Sequence, residues 1–184
     1  MEKNSVSTTA SIAGEAQSSS EVTVAKSLPA EYVREIESFF IRKGSSAHLP
    51  ENHKSKDFYS HLFRHLLRAN YVQRGRVSCL FSVLSAFANI FNGLHGGVIG
   101  GIAERVAIAC ARTIVSEDKE LFLGELSMSY LSAAPLNEEC VVDGSTVRSG
   151  RNLTVVAMEF RIKKTGKLVY TARATLYHMP IAKL

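Results

Sequence analysis

Asn89-Ile90-Phe91-Asn92-Gly93-Leu94-His95-Gly96-Gly97-Val98-Ile99-Gly100-Gly101-Ile102-Ala103-Glu104 is the stretch on which the reading of this chain turns. A loop rich in Asn and Gly runs into a helix expected from Gly96 to about Val115, apolar until it meets Glu104 and Arg105. Gly100 and Gly101 lie in its first turns, where each costs about 1 kcal/mol relative to Ala. A sheet or ligand approaching the backbone closely would offset that cost. Glu104 has Gly100, Gly101, Ala107 and Ile108 as its neighbours three and four residues away. None is basic, so no intrahelical ion pair explains the carboxylate. Arg105 points about 100° away around the helix axis. Two readings remain: a surface carboxylate neutralised from elsewhere, or a general base.

Downstream come four strand-like runs, Leu121–Leu131, Glu139–Ser149, Leu153–Lys163 and Leu168–His178, with Gly144 inside one of them read as a bulge. Asn137-Glu138, Gly150-Arg151-Asn152 and Thr165-Gly166-Lys167 separate them as turns. Upstream, Tyr71–Arg74 and Arg76–Leu84 read as a hairpin turning at Gly75, after a helix over Phe58–Arg68 and another over Pro29–Lys43. Residues 1–28 are Ser/Thr-rich, with Glu2, Glu15 and Glu21 and no apolar segment, and read as a disordered leader. One long helix followed by meandering strands predicts an α+β layer architecture, an antiparallel sheet wrapped around a central helix. The expected organisation is a leader (1–28), a helical accessory segment (29–69), the main domain (70–181) and a C-terminal tripeptide (182–184).

The chain has 184 residues, and 22 Lys+Arg against 17 Asp+Glu give it a net charge of +5. Such a balance suits an anionic partner without choosing between nucleic acid, membrane and a phosphorylated metabolite. Cys79, Cys110 and Cys140 are far apart and form no C-x-x-C pair, so neither a disulfide framework nor a thiolate zinc site is indicated. Buried free thiols in a reducing compartment are expected. His61 and His65 are spaced four apart, but no Glu or Cys completes a metal site. Cys79–Ala103 carries no Lys, Arg, Asp or Glu, yet its Asn residues, His95 and five glycines speak against a membrane span. The G-x-S-x-G and G-x-x-x-x-G-K-[ST] motifs are absent, and the glycines after His95 do not form G-x-G-x-x-G.

Asn89, His95-Gly96-Gly97 and Glu104, in this order and spacing, resemble the hotdog-fold acyl-CoA thioesterases of the PaaI type. The resemblance runs from about Tyr71 to Met179. It includes Ser129-Tyr130-Leu131-Ser132-Ala133-Ala134, Ser149-Gly150-Arg151-Asn152 and Thr165-Gly166-Lys167-Leu168. It implies a hotdog fold and hydrolysis of an acyl- or aroyl-CoA to free acid and CoA. By position, Gly96 would donate its backbone N–H to the thioester carbonyl, and Glu104 would be the general base or nucleophile. Asn89 would position water or the carbonyl, and His95 would orient the loop. CoA contacts fall on Tyr130, Leu131, Ser132, Arg148, Ser149, Gly150, Arg151, Asn152 and Leu153. No separate cofactor and no metal is implied, since CoA is part of the substrate. The family places its site between subunits, which implies a homodimer or a dimer-of-dimers tetramer. Two departures stand out: Glu104 occupies a position where Asp is frequent, and Leu123 stands where several members carry a small hydroxyl residue.

Leu123 motivates an alternative function, a non-catalytic acyl-CoA binding protein on the same fold. A nucleic-acid module draws only on the pI near 9.2 and lacks an aromatic-basic motif. Ala182-Lys183-Leu184 resembles the S-K-L peroxisomal address, implying a peroxisomal import receptor as partner, with the cytoplasm as the alternative location. Between Arg148 and Arg173 stand seven basic residues and one acid, Glu159. The excess charge is therefore expected on the strands to which the resemblance assigns CoA.

Overall fold

The computed structural model describes residues 58–64 and 66–180, together with Glu31, Arg34, Glu35, Ile36, Ser38 and Phe39. The expected leader, the loop before Phe58, His65 and the C-terminal tripeptide lie outside the described residues. The chain divides into two units, Met1–Lys54 and Ser55–Leu184. In the first, all six described residues are helical and fall inside the helix expected over Pro29–Lys43.

The second unit opens with α1 (Phe58–Arg64) and the hairpin β1 (Arg68–Gln73) and β2 (Arg76–Ser82). A 3-10 turn (Ser85–Phe87) leads to α2 (Gly96–Arg112), then β3 (Lys119–Tyr130), β4 (Glu139–Ser149), β5 (Leu153–Ile162) and β6 (Leu168–Pro180). The strands form one antiparallel sheet in the order β1-β2-β4-β5-β6-β3. This is the expected α+β hotdog arrangement. Helix α1 stops short of Arg68 because β1 begins there, and the Leu66 N–H closes a turn onto the Phe63 carbonyl at 3.1 Å. Phe63 and Leu66 are buried, whereas Leu62 stays exposed.

Period-two alternation sorts each strand into two faces. On β5, Thr154, Val156, Met158, Phe160 and Ile162 are buried against the helix side, and the residues between them face outward. Helix α2 answers with Ile99, Ile102, Ala103, Val106, Ala107, Cys110 and Ala111. Its alanines let the sheet come close. Each large aliphatic side chain fully buried in this layer contributes about 1.5–3 kcal/mol.

Gly144 is not a bulge. It pairs regularly with Val77 and Met158, and it is glycine because α2 lies directly above it. A Cβ there would sit 2.7 Å from Cys110 Sγ and 2.8 Å from Val106 Cγ1. The register shifts lie elsewhere: between Ala69 and Tyr71 on β1, Leu123 and Glu125 on β3, Thr146 and Arg148 on β4, and at Phe160/Arg161 where β5 pairs with β6. Cys79, Cys110 and Cys140 are buried free thiols. Burial pushes the thiols of Cys110 and Cys140 up to about 11, so neither supplies a nucleophile near neutrality. Among the described residues no helix is long and apolar enough to cross a membrane, and no group of His, Cys, Asp and Glu could hold a metal ion.

Candidate active site

The first turn of α2 leaves one backbone donor open. Helix N-termini carry N–H groups without intrahelical partners, and these need caps, water or a ligand. Here the Gly97 N–H donates to His95 Nδ1 at 3.1 Å, and the Val98 and Ile99 N–H groups donate to the His95 carbonyl at 2.9 and 3.2 Å. Among the described residues the Gly96 N–H has no acceptor. The half-buried Gly96 amide lies at the positive end of the helix dipole, an arrangement suited to an oxygen gaining negative charge. His95 is the N-cap, with extended backbone angles of φ −66° and ψ 132°. Its Nδ1 is occupied as an acceptor.

The loop before the helix is organised by Asn89. Its Oδ1 accepts from the Phe91 N–H at 2.9 Å and the Gly93 N–H at 3.1 Å, and its own N–H reaches the Gly93 carbonyl at 2.7 Å. These bonds occupy the side-chain oxygen, and Nδ2 remains the group able to donate to a ligand. Asn92 adopts φ +57°, a left-handed conformation that Asn tolerates better than most residues.

Tyr130 closes the same end. Its ring carbon Cε1 would lie 3.6 Å from a Cβ on Gly96, and its hydroxyl donates to the Gly96 carbonyl at 3.3 Å. The ring packs edge-on against Tyr170 at 5.9 Å. Tyr170 in turn accepts the Ala134 N–H at 2.8 Å and is buried. Leu131 and Ser132 follow, both donating their N–H groups to the Val169 carbonyl at 3.0 Å.

Glu104 is half-buried, and no described residue forms a hydrogen bond or ion pair with it. Helical periodicity puts it on one face with Gly97, Gly100 and Ile108, none of which is fully buried. Gly100 looks toward β3, where Met128 Sδ would lie 3.9 Å from a Cβ. Glu104 is eight residues beyond Gly96, about 12 Å along the axis and roughly 80° around it. The two groups are therefore too far apart to act on one carbonyl within one chain.

The remaining candidates lie at the other end of the sheet. Arg148, Ser149, Gly150, Arg151, Asn152 and Leu153 form the β4–β5 turn, closed by a bond from the Gly150 N–H to the Leu153 carbonyl at 2.9 Å. On β6 this turn neighbours Tyr177 and His178, whereas Tyr130 pairs with Tyr170. Eight strand residues separate those positions, about 26 Å.

Residues 91–169 match the family model of the thioesterase superfamily. Residues 91–169 are a thioesterase-superfamily domain. Human acyl-coenzyme A thioesterase 13 is 25% identical over 101 residues, covering 55% of this chain and 71% of the relative. A thioesterase from Haemophilus influenzae superposes with a TM-score of 0.61 at 20% identity, covering 66% of this chain and 85% of that one. A hypothetical thioesterase from Streptococcus pneumoniae, solved with coenzyme A, does so with 0.58 at 18% identity, covering 64% and 91%. The two structures share the fold with this chain. With the family match, the relatives make it a thioester hydrolase.

Within the thioesterase domain the charge divides differently from the sequence expectation. Arg161 pairs with Glu159 at 2.8 Å and Lys163 with Glu139 at 2.6 Å. Arg148 and Arg151 stand at one end of the sheet, while Lys164 and Lys167 stand on the β5–β6 hairpin at the other. The strands between are about 33 Å long, and a linear run of basic residues becomes two separate basic ends. Sequence reasoning also missed Tyr170, Thr154 and His178. A tyrosine, a threonine or a histidine on a strand looks like ordinary sheet content, and only the folded register reveals what each one bonds.

Proposed function

We propose that this thioesterase hydrolyses an acyl- or aroyl-CoA to free acid and CoA, at sites shared between two copies of the chain. The observation that carries the reading is the unmatched Gly96 N–H at the amino end of α2. In the proposed step, Glu104 takes a proton from water as the water oxygen attacks the thioester carbonyl. The tetrahedral oxyanion is stabilised by the Gly96 N–H, and preorganised donors of this kind supply much of the rate in acyl transfer. Collapse breaks the C–S bond, and the thiolate of CoA leaves and takes up the proton held by Glu104.

The shared site is supported by two separations and one open edge. Gly96 and Glu104 are about 12 Å apart on the helix axis. The Tyr130 end and the Arg148–Leu153 end are about 26 Å apart along the sheet. Strand β3 is a sheet edge from Lys119 to Tyr130, and Leu121, Leu123, Leu126 and Met128 on its inner side are only partly buried. Antiparallel pairing of two β3 edges would set the Lys119 end of one copy beside the Tyr130 end of the other. Each site would then draw Gly96, Tyr130 and the β5–β6 lysines from one copy. Glu104 and the arginines of the β4–β5 turn would come from its partner. Two basic ends meeting in this way suit the phosphates of CoA.

Glu104→Gln removes the base and keeps the shape. Release of free thiol from CoA esters is expected to fall about 10²–10⁴-fold, with the melting temperature unchanged. Turnover at the wild-type rate would refute the role of Glu104. Calorimetric binding of CoA esters by the wild-type protein, with no turnover across short, long and aromatic acyl groups, would instead favour the non-catalytic binding protein.

A further inference from the structure

A chain of hydrogen bonds runs from the β4–β5 turn to the end of β6. Ser149 Oγ lies 2.8 Å from Thr154 Oγ1, and Thr154 Oγ1 lies 2.9 Å from His178 Nε2. His178 Nδ1 lies 3.1 Å from the Arg151 carbonyl, and the His178 N–H donates to the Asn152 carbonyl at 2.9 Å. Thr154 is completely buried. One histidine thus holds two consecutive carbonyls of the turn, one with its ring and one with its backbone.

The direction of the chain follows from the chemistry of its ends. A carbonyl oxygen only accepts, so Nδ1 of His178 carries the hydrogen. In the tautomer that carries its one hydrogen on Nδ1, Nε2 is an acceptor and takes the hydrogen of Thr154. Thr154 Oγ1, its own hydrogen committed, accepts from Ser149. Ser149 therefore turns its hydrogen inward and offers lone pairs to the outside. Buried polar groups satisfied in sequence in this way rigidify what they connect.

We infer that His178, acting through Thr154 and Ser149, is a positioning residue that fixes the shape and hydrogen-bond polarity of the Arg148–Leu153 turn for the phosphorylated nucleotide end of the substrate. The inference rests on the CoA-ester reading above. It assigns anion binding at this turn to Arg148 and Arg151. Ser149 faces the ligand as an acceptor, fit for a hydroxyl or amine of the nucleotide and not for a phosphate oxygen. His178 touches no reacting atom. Its loss should weaken binding of the full CoA ester and leave the chemical step alone.

The test compares an acyl-CoA with the matching acyl-pantetheine, which lacks the nucleotide. In His178→Phe, KM for acyl-CoA is expected to rise about tenfold, the loss of roughly one or two net hydrogen bonds. The same variant should keep kcat within about twofold and leave KM for acyl-pantetheine unchanged, because only nucleotide binding is affected. His178→Gln, which keeps one donor and one acceptor, should recover part of the loss. Thr154→Val breaks the chain at its centre with little change in shape, and serves if His178→Phe fails to fold. An unchanged KM for acyl-CoA overturns the inference. So does an equal rise for both substrates, or a fall in kcat alone. Wild-type protein inert toward every CoA ester would instead sink the parent reading. The positioning role is then decided by nitrogen-detected NMR of the histidine ring. The Nδ1–H form, with Gly150, Arg151 and Asn152 amide signals displaced in His178→Phe, upholds it, and the Nε2–H form in wild type overturns it.

Discussion

The centre of the sheet and its β3 edge are built on opposite terms. At the centre, β4 presses against α2 so closely that Gly144 has no room for a Cβ beside Cys110 and Val106. Its neighbours Val142, Val156 and Met158 are at most 1% exposed. At the edge, Leu121, Leu123, Leu126 and Met128 face the core side yet stay partly open, and Phe122 on the outer side is 63% exposed. The opposite edge strand, β1, is half as long and exposed at every position, with Arg68 at its start. Long, half-apolar edges are the ones that recruit another strand, and short charged edges resist it. The centre is thus finished within one chain, and the β3 edge is where the proposed second copy would pair.

The sharpest way to break this comparison is to divide the site between two variants. Gly96→Pro deletes the donor N–H while proline suits the first helical position, and the extended backbone of His95 tolerates a following proline. Alone, it should lower kcat about 10²–10³-fold. Glu104→Gln should be crippled at least as badly. If each site joins Gly96 of one copy to Glu104 of the other, unfolding and refolding the two variants together restores one intact site in every mixed dimer. Random pairing predicts about a quarter of wild-type activity. Activity no greater than that of the parents would mean that each chain completes its own site.

Much of this was legible before the fold was known, for physical reasons that differ by residue. The strand boundaries follow from local signals, alternation of the kind seen in Thr154, Val156, Met158 and Phe160, and turn residues such as Thr165-Gly166-Lys167. Glu104 stood out because a carboxylate without a basic neighbour is anomalous on an apolar helix. Gly144 was misread because glycine in a strand has two meanings, a bulge or a close approach, and only the helix above it decides. The bulge on β3 instead centres on Gly124, which looked like unremarkable strand. The split of the basic segment was illegible for another reason: sequence distance between Arg148 and Lys167 does not reveal which end of a folded strand each occupies.

Those two glycines sharpen the comparison with a smaller effect. Gly144→Ala drives a methyl group into short, packed side chains on α2, and overpacking of this kind costs about 1–3 kcal/mol. Gly124→Ala would meet one side of the Tyr177 ring, at Cδ2 and Cε2, but that ring is 45% exposed and can swing outward as a unit. Its cost should be about 0.5–1.5 kcal/mol, that of displacing one exposed rotamer, and below that of Gly144→Ala. Denaturant midpoints of the two variants measure the difference directly. Equal losses would show that the edge is held as firmly as the centre.

The smallest expected effect tests how closed the centre is. Burial raises the thiols of Cys110 and Cys140 from the ordinary 9.0 to about 11, and burial followed by the charge of Asp143 raises Cys79 as well. Well below pH 9 the thiols are protonated whether the chain is folded or not, and they add no pH dependence. Between about 9 and 11 the unfolded chain gives up these protons while the folded one keeps them. The unfolded state then binds fewer protons, and stability must fall as pH rises. Lysines titrate in the same range, so the informative quantity is the slope of wild type minus that of Cys110→Ala. A shallower alkaline decline in the variant is expected, because removing a thiol removes its share of the proton difference. Identical slopes would mean that Cys110 ionises as easily folded as unfolded. The tight contact between α2 and Gly144 would then have to open in solution, and the centre would be no more closed than the edge.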